Sequence, residues 1–179
     1  MRTIDRETSA LLVVDFQARL MPAIEDGAAA VANARRLLAA ATLLDVPALF
    51  TEQNPRGLGA TVSELAQMCA ERTVLDKMTF DACRARDTLD WLPDRPSLIV
   101  TGCEAHVCVL QTVLGLLEAG RRVFVVQDAV GSRRAESKAV ALQRMARHGA
   151  EVVTAEMVIF EWLVSAEHLR FREAMMLVK

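Results

Sequence analysis

The segment 97–126, SLIVTGCEAHVCVLQTVLGLLEAGRRVFVV, decides how the rest of the chain is read. Ser97 to Thr101 is a short apolar run of strand length. His106 to Ala119 has helical periodicity, with Val107, Leu110, Leu114 and Leu117 on one face, and Gly120 stops it. Val123 to Val126 is a second short apolar run. Two strands joined by a connection of this length make a βαβ unit, which requires a parallel pair.

The same grammar extends in both directions. Upstream, Leu11 to Val14 reads as a strand, Ala28 to Leu44 as a helix, and Pro47 to Phe50 as a strand. Asn54 to Gly57 is a loop. Thr61 to Ala70 reads as a short helix, with Thr61 as N-cap and Glu64 closing a capping box. Thr73 to Leu75 is a strand, and Asp87 to Leu92 a short helix closed by Pro93. Downstream come a helix over Ser137 to His148, a strand over Glu151 to Thr154, and helices over Glu156 to Leu163 and Glu167 to Val178. The expectation is one α/β domain over 1–179, with a doubly wound parallel sheet covered by helices on both faces.

Composition narrows the function classes. Hydrophobic residues make up 53% and charged residues 25% of 179, which fits a globular domain rather than disorder. The net charge of −2 gives no support to a nucleic-acid partner. No apolar stretch approaches the ~20 residues that span a membrane. The apolar run Ala10 to Val14 is too short for a signal-peptide core. The expectation is therefore a cytoplasmic protein without a membrane partner, whose Cys69, Cys83, Cys103 and Cys108 stay reduced.

Ligands of open α/β sheets bind outside the carboxyl ends of the strands. Asp15 falls there, as do Thr51 and Glu52, Asp76 and Lys77, Gly102 and Asp128. Cys108 lies in the first turn of its helix, where partial positive charge and a nearby lysine favour a thiolate. Asp15 is placed to carry its proton. Each residue also has a plainer reading: a buried thiol, a loop-capping carboxylate, a surface amine.

These motifs resemble the isochorismatase-like hydrolases, the cysteine hydrolase superfamily. The resemblance rests on LLVVDFQ at 11–17, DKMTF at 76–80, VTGCEAHVCVLQT at 100–112 and VVQDAVGSR at 125–133. TEQNPRGLG at 51–59 is similar to the isochorismatase domain-containing proteins of undetermined substrate. The resemblance implies a three-layer, Rossmann-like six-stranded parallel sheet. It implies a triad of Asp15, Lys77 and Cys108 in a hydrolase acting on a small molecule, through an amide C–N bond or an isochorismate-like one. It also implies a cis peptide between Cys103 and Glu104 that aims the N–H groups of Glu104 and Cys108 at an oxyanion. Association into a homo-oligomer follows from the same resemblance.

The departures bear on cofactors. The superfamily's nicotinamidases carry an Asp-x-His metal motif after the second strand; here Thr51 to Asn54 contains no histidine. His106, His148 and His168 lie on separate segments and are not spaced as a ligand set, so neither metal nor other cofactor is expected. Phe16, Gln17, Phe80 and His106 flank triad positions and are candidates for the substrate pocket, with core packing the plainer reading for both phenylalanines. Arg133 and Arg134 read as a solvated pair, and Asp128 as a loop cap. Met175 to Val178 serve either an interface or the domain's own core. Two readings of another class stay open: a non-catalytic binding protein, and a thiol redox enzyme using Cys103 and Cys108.

Overall fold

A computed structural model describes residues 3–68, 73–85 and 92–178. Six strands form one sheet: β1 (Ser9–Val14), β2 (Ala48–Gln53), β3 (Thr73–Lys77), β4 (Ser97–Cys103), β5 (Arg122–Gly131) and β6 (Glu151–Val153). Their order is β3-β2-β1-β4-β5-β6, and every pairing is parallel. The longer helices are α1 (Gly27–Leu43), α2 (Leu110–Glu118), α3 (Ala135–Arg147), α4 (Ala155–Leu163) and α5 (Phe171–Val178).

The alternation of side chains along β1 builds two cores. Leu11 and Val13 face one layer with Leu37 and Leu38 of α1 and Ile159 and Trp162 of α4. Ala10, Leu12 and Val14 face the other, with Val113 and Leu116 of α2 and Met145 of α3. Each fully buried Leu or Val contributes about 1.5–3 kcal/mol. Both faces are apolar, so β1 reads as a continuous hydrophobic run rather than an alternation.

Several boundaries differ from the sequence expectations, and three strands run longer than expected. β2 continues to Gln53, β3 to Lys77 and β5 to Gly131. Polar residues extend these strands because parallel pairing partners remain available, as in Glu52 opposite Asp76 and Gln53 opposite Lys77. The helix expected over 61–70 is one turn, Ser63–Ala66. Thr61 does not cap it; it bridges to Gln17 and binds Glu52, while the Ser63 hydroxyl donates to Glu64. Another single turn spans Pro55–Leu58. The helix expected over 87–92 lies almost wholly outside the described residues, as does Cys69. Among the described residues, no helix is long and apolar enough to cross a membrane.

The direction in which strands are added reverses between β1 and β4: β2 and β3 extend the sheet one way, β4, β5 and β6 the other. This switch point is where such sheets open a crevice. Gly102 permits the close approach there. It pairs with Val14 at φ +144°, and a Cβ would lie 2.2 Å from the Val14 carbonyl oxygen.

Candidate active site

Asp15 is the first residue beyond β1 and adopts a left-handed backbone, φ 50°. That conformation is uncommon outside glycine but tolerated by aspartate. It turns the chain sharply, and a fully buried carboxylate results. Both its oxygens are engaged. The Thr51 hydroxyl donates to Oδ1 at 2.6 Å, and Lys77 Nζ donates to Oδ2 at 2.7 Å. The Lys77 and Asp15 side chains are both inaccessible to solvent. Lys77 Nζ also reaches the carbonyls of Thr79 and Phe80 at 3.3 Å, so its remaining donors are satisfied.

Cys108 completes the cluster from the other side of the switch point. It lies in a π-helical turn, Ala105–Val109, that leads into α2. The Val109 N–H donates to the Glu104 carbonyl at 3.2 Å, the five-residue spacing that defines the wide turn. The thiol is 7% exposed and lies within the electrostatic reach of the Asp15 carboxylate. Burial pushes the thiol well above its ordinary range, and the negative charge of Asp15 pushes the same way. Lys77 opposes the shift but does not reverse it, because its charge is already paired with Asp15. Burial and Asp15 thus work against the expected thiolate. Desolvation outweighs the lysine and the helix start.

The peptide joining Cys103 and Glu104 is cis. Cys103 packs with Leu11, Ile99 and Ala30 on the α1 face, whereas Cys108 packs with Leu98, Val100 and Val113 on the α2 face. A disulfide between them would have to cross the sheet. Burial pushes the Cys103 thiol up to about 12, with a backbone hydrogen bond at Gly131 opposing.

The isochorismatase domain family matches this chain over residues 9–157. The chain is 36% identical over 174 residues to isochorismatase domain-containing protein 1 of Salmo salar, covering 96% of this chain and 61% of that protein. It therefore spans less than two thirds of that relative's length. The solved structure of MAR1 ribonuclease from Caenorhabditis elegans superposes with a TM-score of 0.94 at 38% identity, covering 98% of this chain and 92% of that one. YcaC from Pseudomonas aeruginosa, solved with hexane-2,5-diol and covalent acrylamide, gives 0.86 at 26% identity, over 99% and 96% of the chains. The chain belongs to the isochorismatase domain family.

Within this isochorismatase domain, the other residues flagged from sequence take varied places. Phe16 is fully buried in the α1-side core and has no free face to offer a ligand. Gln17 is also buried and is spent on backbone. Its amide donates to the carbonyls of Gln53 at 3.0 Å and Gly59 at 2.6 Å, and its oxygen accepts from the Gln53 N–H at 2.9 Å. Phe80 is 50% exposed beside the Lys77 loop. His106 is half-buried on the Cys108 turn, its Nδ1 3.0 Å from the Ser132 hydroxyl. Asp128 lies inside β5 rather than after it, and its carboxylate accepts from the N–H of Ala155 at the start of α4. Arg133 is not simply solvated: its Nε donates to Glu104 at 2.9 Å. Among the described residues, no three His, Cys, Asp or Glu side chains gather as a metal site.

Two residues carry more of this candidate site than their sequence context suggested. Thr51 is a direct partner of the Asp15 carboxylate. Glu52 accepts from both the N–H and hydroxyl of Thr61, at 2.8 and 2.7 Å. Adjacent strand residues point to opposite faces, so Thr51 serves the carboxylate while Glu52 ties down the loop. A buried Thr-Glu pair at the end of an apolar run was the signal available in the sequence.

Proposed function

We propose that this protein is a metal-independent cysteine hydrolase of small molecules, with Cys108 as nucleophile, Asp15 as proton carrier and Lys77 as the cation that holds Asp15. The observation that carries the reading is a buried thiol beside a buried carboxylate that is itself held by Lys77 and Thr51. A neutral thiol needs a base at the moment of attack, and Asp15 is the base beside it.

For an amide substrate, Cys108 Sγ attacks the carbonyl carbon as its proton passes to Asp15. The carbonyl oxygen takes up negative charge and accepts from the backbone N–H groups of Glu104 and Cys108. Asp15 returns the proton to the leaving nitrogen, the C–N bond breaks, and a thioester remains on Cys108. Water then loses a proton to Asp15 and attacks the thioester carbon. The acid leaves and the proton returns to the thiol.

Covalent acrylamide in the P. aeruginosa relative supports a reactive nucleophile in this fold. The ribonuclease name of the C. elegans structure adds RNA to the substrates worth assaying. The net charge of −2 argues for a small molecule instead. Exposed Phe160, Val164, Leu169 and Met176 on and around the last two helices support association of copies, while Leu177 and Val178 pack back onto the core.

Intact-mass spectrometry after incubation with amides, esters and short RNA tests the reading. An acyl adduct on Cys108, absent in Cys108→Ala, is expected with an amide or ester. Turnover of any of these by a folded Cys108→Ala variant would overturn it.

A further inference from the structure

One carbonyl joins the two halves of the candidate site. The Phe80 oxygen accepts from Lys77 Nζ at 3.3 Å and from the Thr112 hydroxyl at 3.5 Å. Thr112 stands on α2, four residues beyond Cys108 and so about one turn along. It is fully buried, and its hydroxyl also accepts from the Ala82 N–H at 3.0 Å. Its carbonyl accepts from the Cys83 thiol at 3.9 Å. Phe80, Ala82 and Cys83, all in the loop after β3, thus meet this one threonine.

The loop is also closed on itself. The Thr79 hydroxyl donates to the Asp81 carbonyl at 2.7 Å, and the Cys83 N–H donates to the Asp81 carboxylate at 2.8 Å. Gly115 of α2 lets it lie close. A Cβ there would stand 2.8 Å from both Asp81 carboxylate oxygens and 3.0 Å from the Cys83 Cβ. What this loop holds is the lysine. An ammonium has three donors. That of Lys77 spends one on Asp15 Oδ2 and the others on the carbonyls of Thr79 and Phe80. β3 fixes the lysine backbone, but the end of its flexible stem is placed by these acceptors.

We infer that Thr112 is a positioning residue for the cluster of Asp15, Lys77 and Cys108. It sets the loop that holds the Lys77 ammonium in register with the helix that follows the thiol. It acts through Phe80 and Ala82 rather than on the reacting atoms. The inference rests on Asp15 activating Cys108, as proposed above, and adds the contact that keeps the lysine end and the cysteine end of the site aligned.

Acrylamide labelling of Cys108 near pH 7, read by peptide mapping on folded protein, tests it. Thr112→Val keeps the side chain's shape and removes the hydroxyl, and should slow labelling about tenfold. Thr112→Ser keeps the hydroxyl and should recover most of the rate. In an Asp15→Asn background, Thr112→Val should cost little further, because the residue works through the pair that Asp15 forms with Lys77. Three results would each overturn the inference: a wild-type rate in Thr112→Val, a rate in Thr112→Ser as slow as in Thr112→Val, or the same loss persisting beside Asp15→Asn. Slow labelling in Asp15→Asn alone would then leave the activation of Cys108 standing. A wild-type rate in Asp15→Asn alone removes that activation, and the role of Thr112 with it. Should Thr112→Val not fold, Gly115→Ala carries the test. It pushes Asp81 and Cys83 away from α2 with Thr112 intact, and should slow Cys108 in the same direction; an unchanged rate there overturns the inference.

Discussion

Cys103 and Cys108 stand five residues apart, both buried, and burial raises both thiols above their ordinary range. Their surroundings differ in one respect. Cys103 packs against the α1-side core beside Gly131, and Cys108 faces a carboxylate bound to a lysine. A low thiol pKa therefore does not separate them. What does is the carboxylate beside Cys108, so in the proposed mechanism reactivity depends on the Asp15–Lys77 pair rather than on a thiolate prepared in advance.

The largest expected disturbance comes from removing the cation. Lys77→Met leaves the Asp15 carboxylate buried beside an apolar chain, and should lower unfolding stability by about 3–5 kcal/mol. Denaturant midpoints check this, and Asp15→Asn added to Lys77→Met should recover part of the loss. Gly102→Ala attacks the meeting of β1 and β4 that brings the two halves of the site together. A Cβ 2.2 Å from the Val14 oxygen, at φ +144°, should cost about 3 kcal/mol or more, read the same way. Gln17→Ala frees the loop after β2 from three hydrogen bonds and should cost about 2 kcal/mol, with faster proteolysis between Asn54 and Ala60.

Alkali sharpens the comparison further. Cys103 moves from 9.0 to about 12 on folding, so the unfolded chain loses this proton first. Stability from this group is complete below pH 9 and declines as pH rises toward 12. At pH 10 the loss from Cys103 should be about 1 kcal/mol relative to pH 8; the raised Cys83 and Cys108 thiols add to it, so Cys103→Ala should make that part of the profile shallower without flattening it.

The fold was legible because its signals are local. Apolar runs such as SLIVT and a helix stopped at Gly120 each declare themselves within a dozen residues. The strand extensions were not, because Glu52, Asp76 and Lys77 are poor strand formers by propensity and pair only because a neighbouring strand is there. The nearness of Asp15, Lys77 and Cys108 was legible through motif context, while its electrostatics were not. Whether Cys108 is a thiol or a thiolate depends on burial and on how Lys77 divides its charge, and neither quantity is local. Gln17 and Phe16 illustrate the same gap. Both adjoin Asp15 in sequence, yet one braces a distant loop and the other fills the core. Arg133 was read as solvated because its partner Glu104 lies 29 residues away.

The rate of acrylamide addition at Cys108 near pH 7, in the wild type and in Asp15→Asn, tests the central claim most directly. If Asp15 is the base that activates a neutral thiol, the substitution should slow labelling of Cys108 by about 100-fold or more, with Cys103 unlabelled in both proteins. Equal rates at Cys108 in the two folded proteins, or labelling of Cys103 as fast as Cys108, would contradict it.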